Sequence, residues 1–177
     1  MKNETLLFVT PSLELKDKAL DYKNEHLQNG EKELHGGALL ETLEYDKWLK
    51  LTLDNADKKT VHADWVVSDT FFVVRSSDNR IIGMVDIRHY LNDFLSSYGG
   101  HIGYGVRPSE RQKGYATIIL QKALDYAKSI GLNRIMLACN KDNTASQKTI
   151  LKCGGVKERE FIHTDGKTVQ VYIKSLM

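Results

Sequence analysis

The chain has 177 residues, 41% of them hydrophobic and 27% charged, a length and balance that suit one globular domain over residues 1–177 with a sizeable buried core. Its formal net charge of +2 is too small to suggest a polyanion partner, and no stripe of Lys and Arg collects on one face, so nucleic acid is not an expected partner. Two cysteines, Cys139 and Cys153, form no Cys-x-x-Cys pair, and six scattered histidines contain no His-Glu-x-x-His pair, so neither a disulfide framework nor a metal is expected.

The first apolar run, Leu6 to Val9, predicts a short strand. It is far below the about 20 residues of a membrane span and short for a signal segment, which predicts a cytoplasmic protein with no membrane partner. Thr10-Pro11 reads as a helix start with proline at the first helical position, and the helix is predicted to run to Asn29-Gly30. Leu13, Ala19, Leu20 and Leu27 form its apolar stripe. After a break at Gly36-Gly37, Leu40, Leu43, Trp48 and Leu51 predict a second helix ending near Asn55, followed by a loop over 58–69. Thr70–Arg75 and Ile81–Ile87 are rich in β-branched and aromatic residues around Ser77-Asp78-Asn79, which predicts a hairpin. Residues 91–98 read as loop. Gly99-Gly100 then lets the chain enter a third strand ending at Val106.

That strand runs through Arg107-Pro108-Ser109-Glu110 and Arg111-Gln112-Lys113-Gly114 directly into an amphipathic helix. A strand, a loop and a helix start aim unpaired amides and the positive end of the helix dipole at one spot, which suits phosphate. Two phosphate-binding patterns fail here. In a P-loop the lysine follows the last glycine, whereas Lys113 precedes Gly114, and Pro108 stands where a Gly-x-Gly-x-x-Gly fingerprint begun by Gly103 and Gly105 needs its third glycine. An ordinary helix start is the bland alternative. The helix carries Ala116, Ile119, Leu120, Ala123, Leu124 and Ala127 on one face and stops at Gly131. Arg134–Cys139 predicts a buried strand entered by a crossover, hence parallel to the strand before the loop, in a mixed sheet. Asp142 or Asn143 can cap a short helix ending at Gly154-Gly155, and two strands close the chain around Asp165-Gly166, with Val169, Val171 and Ile173 on the buried face.

Arg111, Gly114 and Ala116 fit Arg/Gln-x-x-Gly-x-Gly/Ala, which resembles the acetyl-CoA-binding motif of the GNAT superfamily of N-acetyltransferases. The resemblance extends to the strand before the loop, the helix after it, the strand ending in Asn140 and the run Asn143-x-x-Ser146 leading to Gly154-Gly155. The strings around Leu91-Asn92-Asp93-Phe94, Gly99 to Tyr104 and Val106 to Arg111 resemble an uncharacterised bacterial subgroup of predicted acetyltransferases. The resemblance implies an α/β (α+β) fold with a mixed, mostly antiparallel central sheet flanked by helices and a splayed parallel strand pair holding CoA. It implies a bulged strand at Tyr104, Gly105 and Val106 against the pantetheine, a pyrophosphate cradle from Arg111, Gln112, Lys113, Gly114, Tyr115 and Ala116, and Asn143 and Ser146 beside the pantetheine arm. Asn143 also reads simply as a helix cap.

The implied activity is acetyl transfer from acetyl-CoA, as cosubstrate, to a primary amine of a small molecule or peptide by direct attack in a ternary complex. The alternative is a catalytically inactive CoA-binding module, and a homodimer stays open. Where the family often places an acidic tyrosine, seven residues after the asparagine, the chain has Ile150; a thiol pKa near ~8.5 makes protonation of the leaving group optional, and Tyr104 or water is the substitute. His101 is the candidate general base, with a structural histidine as its alternative and Asp86, Glu110 and Asp93 as competitors, Glu110 being expected to face the phosphates. Cys139 is a conceivable acyl carrier but reads as a core thiol. Glu31, Glu33, Glu41, Glu44, Asp46 and Asp93 either wall a site for a cationic amine or form a solvated face.

Overall fold

Two runs of β-branched and aromatic residues build the centre of the protein, whose computed structural model describes residues 4–177. Ser68–Arg75 (β2) and Arg80–Arg88 (β3) pair antiparallel, from Ser68 opposite Arg88 to Arg75 opposite Arg80. Leu6–Val9 (β1) and Ile102–Val106 (β4) flank them to give a four-stranded sheet in the order β1-β2-β3-β4. The period-2 alternation of strand side chains sorts the two faces. Phe72, Val74, Ile81 and Met84 meet Ala19, Tyr22 and Trp48 of Lys16–Gln28 (α1) and Tyr45–Asn55 (α2), whereas Val73, Ile82 and Val85 meet Ile119, Leu120 and Ala123 of Tyr115–Ser129 (α3). β3 is therefore buried on both faces, which is why Ile81 to Ile87 reads as an apolar run without alternation. Arg134–Asn140 (β5), Val156–Ile162 (β6) and Thr168–Ser175 (β7) form a second sheet in the order β5-β7-β6, with Thr144–Lys152 (α4) between β5 and β6. No described helix is long and apolar enough to cross a membrane.

Helix α3 ends as its sequence predicts. Gly131 takes φ 93°, the Leu132 N–H reaches Ala127 O at 3.0 Å and the Gly131 N–H reaches Lys128 O at 3.0 Å, which together satisfy carbonyls the helix leaves open. Helix α1 differs from its prediction. Ser12 stands as cap to a 3₁₀ turn over Leu13–Leu15, so Pro11 lies outside the helix. The buried stripe is Ala19, Tyr22 and His26, while Leu13 is 64% exposed and Leu27 43%. A tyrosine and a histidine take the buried places because each has a charge to meet: the Arg107 guanidinium lies 5.4 Å from the Tyr22 ring centroid, and His26 Nδ1 lies 2.7 Å from Glu31 Oε2.

Three further departures shape the site. Residues 95–99 wind into a π-type turn instead of a loop, and the carbonyls it frees are taken by Arg88 and Arg159, which donate to Gly100 O at 3.1 Å and Ser96 O at 2.9 Å. The single mixed sheet is two antiparallel sheets, because β4 and β5 share no ladder; their one backbone bond among the described residues is His101 N–H to Met136 O at 2.8 Å. The bulge at Tyr104-Gly105 is absent, since β4 pairs with β3 in unbroken register from Ile102 opposite Ile87 to Val106 opposite Gly83. The glycines of β4 serve a different contact. A Cβ on Gly105 would lie 2.7 Å from His35 O, and one on Gly36, at φ 75°, would lie 2.8 Å from Gly103 O, so the 35–36 backbone rests directly on β4.

Trp48 pins that crossing segment, its buried Nε1–H donating to Gly37 O at 2.8 Å. Trp48→Phe leaves the carbonyl without its donor in a buried setting, so it is expected to cost about 1–3 kcal/mol, read as a lower urea midpoint with an unchanged slope. An unaltered midpoint would show that the bond does not hold the segment.

Candidate active site

The segments singled out by sequence converge because β4 and β5 run the same way. His101 meets Met136, and three residues further along each strand Tyr104 lies close enough to Cys139 for the thiol to act on its phenol. Both strands thus end on one side of the molecule, where β4 passes through residues 107–114 into α3 and β5 passes through residues 141–143 into α4. Among the described residues their backbones are joined only at the His101 end, and past it toward that side they share no ladder.

Charge pairs under the 107–114 loop set its shape. Arg107 is 1% exposed; its Nε donates to Ile81 O at 2.7 Å and its Nη1 to Asp21 and Glu25 at 2.9 and 2.8 Å. Glu25 Oε1 in turn accepts from the Ser109 N–H at 2.8 Å. Glu110 does not face outward to a phosphate as expected. It is 3% exposed and accepts from Arg75, Arg80 and Lys113; burial would raise its carboxyl, and Lys113 and Arg75 hold it below the usual range. Arg111 donates through Nε to Val106 O at 3.0 Å and pairs through both terminal nitrogens with Glu31, at 2.7 and 3.0 Å. Arg111 and Lys113 therefore arrive already paired, which leaves the backbone and the two remaining N–H groups of Arg111 as donors of the loop.

That backbone is turned outward by two left-handed residues, Gln112 at φ 62° and Gly114 at φ 85°, on either side of Lys113. No described side chain caps α3, and its first bond runs from the Ile118 N–H to Gly114 O, so the amides of Tyr115, Ala116 and Thr117 have no helical acceptor. A Cβ built on Gly114 meets nothing within 4 Å. Tyr115 turns its side chain inward, its hydroxyl meeting Arg75 and Glu4.

In the gap, Tyr104 and Ser146 hydroxyls lie 3.1 Å apart. Burial pushes the Tyr104 phenol up to about 12, so it stays protonated near neutrality. The ladder to β3 contains the bonds Arg88 N–H to His101 O and Arg107 N–H to Ile82 O; the alternation they define turns the peptide groups of Gly103 and Gly105 toward β3 and those of Ile102, Tyr104 and Val106 toward the gap. Gly105 is thus not a backbone contact for a ligand, and the Val106 carbonyl is spent on Arg111. Asn143 caps α4, its Oδ1 accepting from the Ser146 N–H at 3.1 Å. Cys139 is half-buried with its thiol raised by burial, which favours the unreactive protonated form. Ile150, 1% exposed, packs into the core, so a side chain at that position faces away from the gap.

His101 does not suit a general base. Its Nδ1 accepts from the Met136 N–H at 2.9 Å, so the neutral ring carries its proton on Nε2 and has no lone pair left for an amine. Burial lowers its pKa to about 4, with Arg88 and Arg134 adding to the effect. Asp86 is 5% exposed and engaged by Thr70 at 2.9 Å and Arg88 at 3.0 Å; Asp93 is exposed. The acidic wall is partly dispersed, because Glu31 serves Arg111 and Asp46 serves Lys16. Glu33 remains, and with Asp165 it acts on Tyr98, whose phenol is raised first by burial and then by those carboxylates. Sequence reading gave no individual role to Tyr98, within the expected loop, or to Arg88, just beyond the expected strand Ile81–Ile87. The Gly36-Gly37 pair was the available signal that a segment crosses here. Among the described residues no group of three or more His, Cys, Asp or Glu could hold a metal ion.

The model of the acetyltransferase (GNAT) family matches residues 38–154. The uncharacterized N-acetyltransferase YjdG of Bacillus subtilis is 31% identical over 99 residues, 54% of this chain and 57% of that protein; the match spans little more than half of the relative's length. Among solved structures, the microcin C7 self-immunity acetyltransferase MccE, in complex with acetyl-CoA and AMP, superposes with a TM-score of 0.70 at 20% identity over 99% of this chain and 94% of that one. The dodecameric spermidine N-acetyltransferase of Vibrio cholerae superposes with 0.66 at 16% identity over 96% and 93%. At these identities the structures bear on the fold alone.

The pairs under the loop give a pH signature. Burial would raise Glu25 and Glu31, but the Arg107 bond and the Ser109 amide on the first, and Arg111, His26 and Asn29 on the second, hold both at about 2. A depressed carboxylate contributes stability that is complete above its ordinary value near ~4.3 and disappears as pH falls from there to about 2. Urea midpoints are expected to drop over that window, and Glu25→Gln to flatten the drop; parallel curves for the two proteins would remove Glu25 from the account.

Proposed function

The chain belongs to the acetyltransferase (GNAT) family, and from that premise we propose that it moves an acetyl group from acetyl-CoA to a primary amine by direct attack in a ternary complex. The observation that carries this reading is the uncapped start of α3 at the mouth of the parted strands β4 and β5. The residues fit the cosubstrate. The left-handed Gly114 with open space before it, and the amides of Tyr115, Ala116 and Thr117, suit a pyrophosphate at the positive end of a helix. Gln112 and Lys113 shape the same turn, and the two N–H groups of Arg111 not given to Val106 and Glu31 remain for a phosphate oxygen. Along the gap, the peptide groups of Tyr104 suit the amides of a pantetheine arm, with the Val106 N–H beside them.

When bound, acetyl-CoA supplies an activated acyl carbon and a thiol leaving group. The chain's part is to hold that carbon against an amine and to manage two protons. The Tyr104–Ser146 hydroxyl pair is the donor to the departing sulfur, since both groups are protonated and hydrogen-bonded to each other beside the start of α4. A thiol near ~8.5 gains modestly from such a donor. The acceptor loses its proton to water, because His101 and Asp86 are engaged and Glu110 lies under the loop. An alkyl amine near ~10.4 arrives mostly as a cation, and Glu33 and Asp165 around Tyr98 suit that charge.

Acetyl-CoA or CoA at one hundred times its dissociation constant is expected to add about 2.7 kcal/mol, seen as a higher melting temperature. Gly114→Val, judged against its own unliganded melting temperature, is expected to lose that shift; a variant that keeps it would mean the pyrophosphate sits elsewhere. Free thiol released from acetyl-CoA in the presence of a panel of amines tests the transfer itself. No release with any amine while CoA still binds would overturn the enzyme reading.

Tyr104→Phe and Ser146→Ala are expected to keep CoA binding and to lower thiol release by roughly 10-fold to 100-fold. Full turnover in both would return the proton to water.

A further inference from the structure

Among the described residues His101 hydrogen-bonds to one residue of the second sheet, Met136, and uses both of its main-chain groups. Its own N–H donates to Met136 O at 2.8 Å, and its Nδ1 accepts from the Met136 N–H at 2.9 Å. In a parallel ladder the Met136 N–H would go to the carbonyl two residues before His101, Gly99 O, but that carbonyl lies in the π-type turn and meets Arg88 Nη1 at 3.4 Å; His101 O, which would take the next amide of β5, accepts instead from the Arg88 N–H at 2.8 Å in the pairing with β3. The imidazole therefore stands in for a carbonyl that the turn before β4 has withdrawn. Gly100 makes the approach possible: at φ 70° its built Cβ would lie 2.6 Å from Met136 O. Arg88 fixes the segment from the other side through Gly100 O at 3.1 Å. Beyond this point the strands share no ladder, and the gap that holds the Tyr104–Ser146 pair begins.

We propose that His101 is a positioning residue: its imidazole closes the β4–β5 seam on Met136 and so sets where the strands part and how wide the gap at Tyr104 is. The seam is independent of any activity; its consequence for a cosubstrate rests on the acetyltransferase reading. Two substitutions separate positioning from proton transfer. The Oδ1 of asparagine falls near the position of Nδ1, so His101→Asn keeps the acceptor for Met136 and cannot act as a base at neutral pH. His101→Gln carries its amide one bond further out and loses that acceptor.

Hydrogen exchange of the peptide spanning Met136 reads the seam directly. Exchange at the Met136 amide is expected to rise roughly tenfold in His101→Gln and to stay near the parent's in His101→Asn. CoA affinity and acetyl transfer follow the same order, with the glutamine variant losing roughly tenfold in kcat/KM and the asparagine variant restoring it to within about threefold. Equal exchange in parent and glutamine variant overturns the seam. An asparagine variant with parental exchange and parental CoA affinity but little turnover overturns positioning in favour of proton transfer. Failure of the parent to bind CoA overturns the acetyltransferase reading instead, and the exchange comparison still decides the seam.

Discussion

A strand edge that has lost its neighbour carries N–H and C=O groups that must go to water or to a ligand. Past His101, the outer edge of β4 is such an edge. Its inner edge is fully paired with β3, and β3 is itself clamped between α1 and α2 on one face and α3 on the other, so β4 cannot move outward to recover a partner. The edge is held open by the rigidity behind it. β5 is held in turn by its long antiparallel ladder to β7, from Arg134 opposite Ser175 to Asn140 opposite Val169.

The surroundings of that edge depend on where the chain goes next. Because β4 and β5 run the same way, both send their following helices from the open end of the gap, and two helix starts face it. One is capped by its own chain, Asn143 taking the Ser146 amide. The other has glycine where a cap would be and leaves its amides unused. An anion therefore has a reason to settle at α3, while α4 contributes a hydroxyl.

The charges near the loop act chiefly as scaffold. Glu25, Glu31 and Glu110 satisfy Arg75, Arg80, Arg107, Arg111 and Lys113 from beneath and beside it. A buried carboxylate with one partner missing is costly, whereas a fully satisfied group of this kind resists distortion. The shared carboxylates also link elements far apart in sequence: Glu25 joins α1 to β3 and to the loop after β4, and Glu31 joins the segment after α1 to the loop before α3. The amides of the loop are held in place by these ion pairs.

Local signals were legible from sequence wherever neighbours along the chain decide the outcome. The hairpin at residues 76–79, the stripe and glycine stop of α3, the turn at Gly114 and the cap at Asn143 depend on φ angles and spacings within a few residues, and the structure has them. The resemblance of Arg111, Gly114 and Ala116 to an acetyl-CoA motif pointed to the family by the same local route. What depended on partners far along the chain was not legible. Tyr22 takes a buried place on α1 because Arg107 comes to it from the loop after β4. Gly105 serves the backbone of His35 and not a bulge, and the central sheet divides because His101 spends its carbonyl on Arg88 and its imidazole on Met136. Sequence could name His101 and the gap beside it. Only the tertiary structure decided which nitrogen was free, because a ring's proton sits where its neighbours leave room for it.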